Sequence, residues 1–430
     1  MRKPFFAALL AMPLAISNAY ATDDGGPSVI VTGYGTLAYT GTDTDAAEYG
    51  RPNQWSGVKK TFRNGVDSNF GIQGTILVND WLSFTAQGLA RKIATDDWSA
   101  RLYWGFAKAK INKEWSVRIG RIGLPVYMIS DFRNLGYANT FIRPPAEVYS
   151  QVVFDNVDGA DVIYQTAFGD TSVTAQLAAG NTEEKVAAAK GSPTGAALGG
   201  NASIEGKSMW ALNVVVENGP LTLRVGRAEA SVKIDDSSRV NALLTGLRAA
   251  GTGYGFSQLN RLADDLAADG NKPKGSFTSL GLGLDWNNFV VQSEFAKRKT
   301  RTYIASTTSW YVLGGYRIGK FLPYAVHGSL RRDSVVANTV PTSCPAGYPA
   351  ACTPTMQALR AGVTALTTTA TQGEQSTTSL GVRWDFHKSA ALKVQVDRVK
   401  PHNGQGLFLN PTPAFTGPVT VFAAGVDFVF

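Results

Sequence analysis

The chain is short of the residues from which most catalytic and metal sites are built. Its 430 residues include two cysteines and three histidines. His327, His387 and His402 are scattered, and together with the cysteines they match no metal-ligand spacing. No Gly-x-Ser-x-Gly elbow occurs, and no Ser or acid stands in a recognisable relation to a histidine. Gly251-Thr252-Gly253-Tyr254-Gly255 has the wrong spacing for a dinucleotide fingerprint and follows no strand. Neither an enzyme nor a bound cofactor is expected. Basic runs are missing too. The 41 basic and 33 acidic residues, a net +8, are spread along the chain, which argues against nucleic-acid binding. After the first residues, no apolar run approaches the ~20 residues of a transmembrane helix. No linker or break in composition marks a second domain, so 22–430 reads as one domain.

The N-terminus reads as a secretory leader over 1–21. Arg2 and Lys3 supply its positive start, Phe5 to Ile16 its apolar stretch, and Ala19-Tyr20-Ala21 the small-x-small cleavage pattern. Loss of Arg2 and Lys3 takes two from the net charge, and the remaining excess suits a lumen that favours anions. Cys344 and Cys352 are close in sequence and flanked by Pro and Gly. In an oxidising compartment they read as a loop-clamping disulfide, the other reading being two free or metal-binding thiols.

What the chain does have is glycine (45), aromatic residues (21 Phe, 15 Tyr, 9 Trp) and a mean hydropathy near zero. Alternation reconciles these, because a barrel strand shows lipid one apolar side chain and the lumen one polar side chain. Sixteen such strands are expected. The first nine are 28–40, 66–78, 81–92, 98–111, 114–123, 157–168, 171–180, 207–217 and 220–232. The other seven are 276–287, 289–300, 305–318, 320–332, 376–387, 389–399 and 418–430. Tight turns such as Asn79-Asp80, Gly169-Asp170, Asn287-Asn288 and Gly319-Lys320 alternate with mostly longer connections. The connection over 240–268 spaces Leu243, Leu244, Leu247, Leu262 and Leu266 near helical period, which leaves short amphipathic helices and a surface loop both open. In 376–387, Leu380, Val382, Trp384 and Phe386 share one face and Gly381, Arg383 and Asp385 the other. A charge facing lipid costs ~2–4 kcal/mol at the midplane, so the polar face looks into water. Trp81, Trp115, Tyr324 and Phe430 sit where interfacial girdles lie.

Sixteen strands, a C-terminal strand ending in Phe430 and a long loop after the fifth strand together resemble the trimeric porins of Gram-negative outer membranes. The resemblance covers essentially all of 22–430. The Pro-Glu-Phe-Gly-Gly-Asp signature of enterobacterial general porins is not present, which leaves a general and a substrate-selective pore both open. The family implies an all-β transmembrane barrel in the outer membrane, with both termini on the periplasmic side. It also implies outer-membrane lipid and lipopolysaccharide, small hydrophilic solutes and ions, and a homotrimer as partners.

In that family the third external loop folds inward and narrows the channel. The matching segment is 124–156, and a connection of about 33 residues in a compact barrel is expected to be functional. Asp131, Arg133, Arg143 and Glu147 are its candidate constriction charges, with Tyr127 and Phe132 as candidate lining aromatics. Period-two reading places Arg91, Arg101, Tyr103 and Arg118 on adjacent inner wall faces; Arg121 joins them only through a bulge. Arg383, Arg224, Arg298, Arg331, Lys393 and His327 also read as inward, as do Glu217, Asp285, Glu294, Asp385 and Asp397. A transverse field between the wall arginines and the loop acids Asp131 and Glu147 is the expected pore device, with a mild preference for anions. The alternatives are a selective channel for small anions, carboxylates or sugars, and a non-conducting structural or adhesin barrel.

Overall fold

The computed structural model describes residues 27–95, 98–187, 201–235, 238–369 and 373–430. The leader expected over 1–21 lies outside the described residues. Sixteen strands make up the wall. The first eight are β1 (Ser28–Thr42), β2 (Asn69–Leu77), β3 (Leu82–Arg91), β4 (Ser99–Lys110), β5 (Trp115–Gly123), β6 (Asn156–Phe168), β7 (Thr171–Ala187) and β8 (Asn201–Asn218). The others are β9 (Leu221–Ile234), β10 (Asp269–Trp286), β11 (Phe289–Thr300), β12 (Ser306–Tyr316), β13 (Phe321–Ser334), β14 (Gln375–His387), β15 (Ala390–Pro401) and β16 (Val419–Val429). Each pairs antiparallel with its sequence neighbours, and β16 returns to β1 with Tyr34 opposite Val429. A two-residue segment, Arg63–Asn64, extends the pairing of β1 opposite Tyr39 and Thr40. Closure leaves no strand edge unpaired against lipid. At the short-turn end, Asn287 and Gly319 take φ values of 54° and 61°, which two-residue hairpins require.

The expected strands are all present, but three are longer than read by six or more residues. β7, β8 and β10 run to 17, 18 and 18 residues, against the ~9–11 needed to cross a bilayer. The added residues are largely polar, such as Glu183 opposite Glu205 and Lys185 opposite Ser203. They pair above the apolar band and carry no lipid-facing alternation to signal a strand.

The outer band follows the expected alternation on most strands. Leu380, Val382, Trp384 and Phe386 of β14 are exposed on the outside, while Arg383 between them is buried within. Strand β13 inverts the rule. Its inner face carries Leu322, Tyr324, Val326 and Leu330, all buried, so its polar residues turn outward. His327 and Arg331, expected inside, are on the outer surface. His327 lies 5.6 Å from the Trp310 ring and 2.8 Å from the Thr378 hydroxyl. Tyr324, expected in an outer girdle, faces inward instead. The physical reason is that this part of the wall faces packed protein rather than water.

A second apolar cluster caps the loop end. The helical turn α1 (Ala146–Tyr149) lies between β5 and β6, the β9–β10 connection folds into α2 (Ser238–Gly253) and α3 (Ser257–Leu266), and the β13–β14 connection folds into α4 (Cys352–Thr369). Leu244, Leu247, Leu259, Leu262, Met356 and Val363 pack together. This settles 240–268 as helical. The helix α4 was not expected, although Met356, Leu359, Val363 and Leu366 recur at helical spacing; the surrounding threonines mask the pattern. Cys344 and Cys352 are disulfide-bonded at its start. Among the described residues, no helix is long and apolar enough to cross a membrane.

Because this cluster meets the wall at the extended ends of β7–β9, through Val186, Ile204, Val232 and Ile234, and lies outside the lumen core, Leu247→Asp places its charge in the cap. Trypsin should then cut near Arg248 and Arg360, while the barrel keeps its heat-modifiable migration on a detergent gel. Loss of the barrel along with the cap would mean that the two are not independent.

Candidate functional site

The connection between β5 and β6 folds into the lumen. It contains two 3₁₀ turns, Ser130–Phe132 and Gly136–Ala138, and a single helical turn, α1 (Ala146–Tyr149). Its apolar side chains make the interior core. Tyr127, Ile129, Phe141, Val148 and Tyr149 pack against Phe277, Tyr311, Leu313 and Val326 of the wall. This explains the inversion on β13, where the wall meets loop side chains rather than solvent.

Irregular backbone inside a barrel survives only where its polar groups find partners. Here the wall supplies them. Lys393 Nζ donates to the carbonyls of Gly136, Asn139 and Phe141 at 2.7, 2.6 and 3.0 Å and pairs with Asp427 at 2.8 Å. Arg383 donates to the Asn139 carbonyl at 3.0 Å, and its guanidinium lies 5.1 Å from the Tyr137 ring. Arg224 donates to the carbonyls of Pro125 and Val126 at 2.7 and 3.1 Å. In the other direction, Glu294 accepts from the Met128 amide at 3.0 Å and the Tyr149 hydroxyl at 2.7 Å. Gln395 accepts from the Ile142 amide at 3.0 Å.

Two expected pore charges of the loop serve this docking. Arg143 is buried, forks onto Asp67 at 2.9 and 2.6 Å and also pairs with Asp397. Glu147 is buried and accepts from Gln375 at 2.7 Å and from Thr377. Burial pushes its carboxyl up, against those hydrogen bonds. Neither is brought to the wall arginines. Tyr127 belongs to the interior core and hydrogen-bonds the backbone of Val152, so it is not a lining aromatic. Arg383 is likewise a clamp.

The loop docks chiefly on β9–β16 and β1; on the β3–β4 side it is held through Asn134, which accepts from Arg91 at 3.1 Å, and through Asp155. Arg91 and Arg101 reach one carboxylate, Asp155, at 2.6 and 3.2 Å. Arg133 of the loop pairs with the same carboxylate and points its Nε at the Tyr103 hydroxyl, 3.4 Å away. Arg101 also pairs with Glu184 at 2.9 Å. A bulge on β4 inserts Tyr103 opposite the step between Gln87 and Gly88, and turns it inward beside Trp104. Arg51, which sequence reading did not single out, stands nearby. Burial pulls its guanidinium down to about 10, opposed by Asp67 and reinforced by Arg91, Arg143 and Arg133. Lower on the wall, Arg118 forks onto the buried Asp161 and stacks 5.0 Å from the Phe106 ring. Asp131 is exposed within the lumen on the loop side.

Arg121 is a correction. No bulge intervenes in β5, so Arg121 alternates to the outer face, where it pairs with Asp158 at 2.7 Å. The structure brings Arg91 and Arg101 together with Arg133 on Asp155, with Arg51 nearby, whereas Arg118 stands apart on Asp161 and does not join them.

The Arg143 fork carries the clearest test of docking. Arg143→Ala leaves Asp67 and Asp397 buried without their cation and should cost roughly 3–5 kcal/mol. A lowered thermal unfolding midpoint and new protease cuts within 124–156 are expected, with partial recovery when Asp67→Asn is added. An unchanged midpoint would remove Arg143 from this role.

No protein-family model matches the chain, and no curated protein matches it in sequence. Solved structures do match in shape. OmpT, an outer-membrane protein of Vibrio cholerae, superposes with a TM-score of 0.52 at 12% identity, covering 95% of this chain and 99% of that one. The outer-membrane channel DcaP of Acinetobacter baumannii gives 0.52 at 11% identity, with 95% and 99% covered. An anion-selective porin from Comamonas acidovorans gives 0.50 at 14% identity, with 94% and 100% covered. Closed, antiparallel and sixteen-stranded, with its third loop inside, the chain has the fold of the outer-membrane porins.

Proposed function

We propose that this protein is an outer-membrane porin: a water-filled channel for small hydrophilic solutes and ions, with a mild preference for anions. The observation that carries the anion preference is the crowding of Arg91, Arg101 and Arg133 on the single carboxylate of Asp155. With Arg51, Lys108 and Arg118, the cations on this side outnumber the carboxylates of Asp131, Asp155, Asp161 and Glu184. The excess raises the local concentration of anions in a narrow, low-dielectric passage. Arg91, Arg101 and Arg118 keep 18, 26 and 17% of their side chains exposed, whereas the docking residues Arg143 and Lys393 keep 4 and 1%. The passage in this reading runs along β3–β5, where the wall cations are the less buried ones.

In this reading the leader over 1–21 is removed, 22–430 forms one barrel domain, and the short turns and both termini face the periplasm. The apolar outer band sits in lipid, with lipopolysaccharide around its outer half, and three copies associate as in the porins that the fold resembles. The channel performs no chemistry.

Single-channel recording in a planar bilayer tests this. Ohmic steps are expected, with an anion-favouring reversal potential in a salt gradient. Arg91→Glu combined with Arg101→Glu should move the reversal potential toward cations, and Asp155→Asn should move it further toward anions. Silence from correctly folded protein would overturn the channel and favour a barrel plugged by its loop.

A further inference from the structure

Between the end of the inward loop and the wall of β8–β11 lies a cavity of about 120 Å³. Its lining is mostly apolar, with Phe154, Met209, Ala228, Ala230 and Phe277 as its main surfaces. Two charged residues border it. Glu229 is held by Arg227 on the outer face of β9. Arg298 of β11 is the other, and it is unlike most of the inner cations. Arg91, Arg101, Arg118, Arg143, Arg224, Arg383 and Lys393 each have a carboxylate within 4.0 Å. Arg298 has none among the described residues. Its terminal nitrogens donate to the carbonyls of Gln151 and Ala305, both at 3.0 Å, and its Nε–H has no acceptor.

A cation fixed by neutral carbonyls beside an apolar cavity is positioned and under-compensated. Neutral carbonyls hold the guanidinium plane but do not cancel its charge. A carboxylate would supply the missing charge, and guanidinium geometry suits it. The cavity limits what the carboxylate can carry. An apolar cavity of about 150 Å³ accepts a benzene ring, so this one suits a single ring or a short alkyl chain.

We propose that the cavity is a binding subsite for small monocarboxylates bearing one aromatic ring or a short alkyl chain. The carboxylate sits on Arg298 and the apolar part lies among Phe154, Met209 and Phe277. This goes beyond the channel reading and does not require that the protein conduct.

Calorimetric titration of the full-length folded protein in detergent with sodium benzoate tests the subsite. Acetate serves as the ring-free control and benzyl alcohol as the neutral one, each corrected against empty micelles. Saturable benzoate binding is expected, with both controls at least about tenfold weaker. Arg298→Gln should weaken benzoate by a similar factor, and Ala230→Phe, which fills the cavity, should abolish binding. Heat-modifiable migration checks that each variant folds; if Arg298→Gln fails that check, Ala230→Phe decides alone. Absence of saturable benzoate binding to folded wild-type protein, or binding unchanged in a folded variant, would overturn the proposal. Benzoate binding by a protein silent in the bilayer would uphold the subsite while overturning the channel.

Discussion

Everything inside this barrel follows from one requirement: a long stretch of irregular backbone, folded inside a closed sheet, must have its amides and carbonyls satisfied by the wall. Water cannot do this where the loop packs tightly, because the contact is filled by Tyr127, Phe141, Tyr149 and their neighbours. The wall therefore presents donors where the loop shows carbonyls, as at Lys393, Arg383 and Arg224, and acceptors where it shows amides, as at Glu294 and Gln395. Once those positions are assigned, the inner face of β9–β16 is committed to packing. On the β3–β5 side, by contrast, Arg91, Arg101 and Arg118 keep part of their side chains exposed.

This divides charges that look alike in the sequence. Arg143 and Arg91 are both lumen arginines near acids, yet one is buried in a fork and the other shares a carboxylate with two more guanidinium groups. The first is neutralised by its partners and shapes the passage. The second leaves positive charge over. Charge near a lumen thus becomes informative only when the number of partners is known, and partners such as Asp67 and Asp397 lie far from Arg143 in the chain.

The strands and their faces were legible because lipid on one side and water on the other impose a period of two, and tight turns need particular residues. Leu380 to Phe386 shows the first and Asn287 the second. The inward loop was legible only through resemblance and its length. What could not be read came from places where the solvent rule changes. On β13 the inner face meets protein, so apolar Leu322 and Val326 turn inward and His327 turns outward. Arg51 lies in an irregular segment with no periodicity, and nothing local marks its approach to Arg91. Helix α4 carries its apolar spacing within a threonine-rich stretch that reads as loop.

The Lys393 contacts also bear on how the chain reaches this state. Lys393 is separated from Gly136 by 257 positions, and its other partner, Asp427, lies on the last strand. The segment cannot complete its hydrogen bonds until nearly all of the barrel has been laid down. Such distant contacts form slowly, since a long loop must close before they reward it. The final strands therefore do two things at once: they seal the sheet against β1 and they lock the insert. An intermediate without its last two strands would hold an insert lacking the Lys393 and Gln395 contacts, so the same step that ends assembly fixes the insert's position.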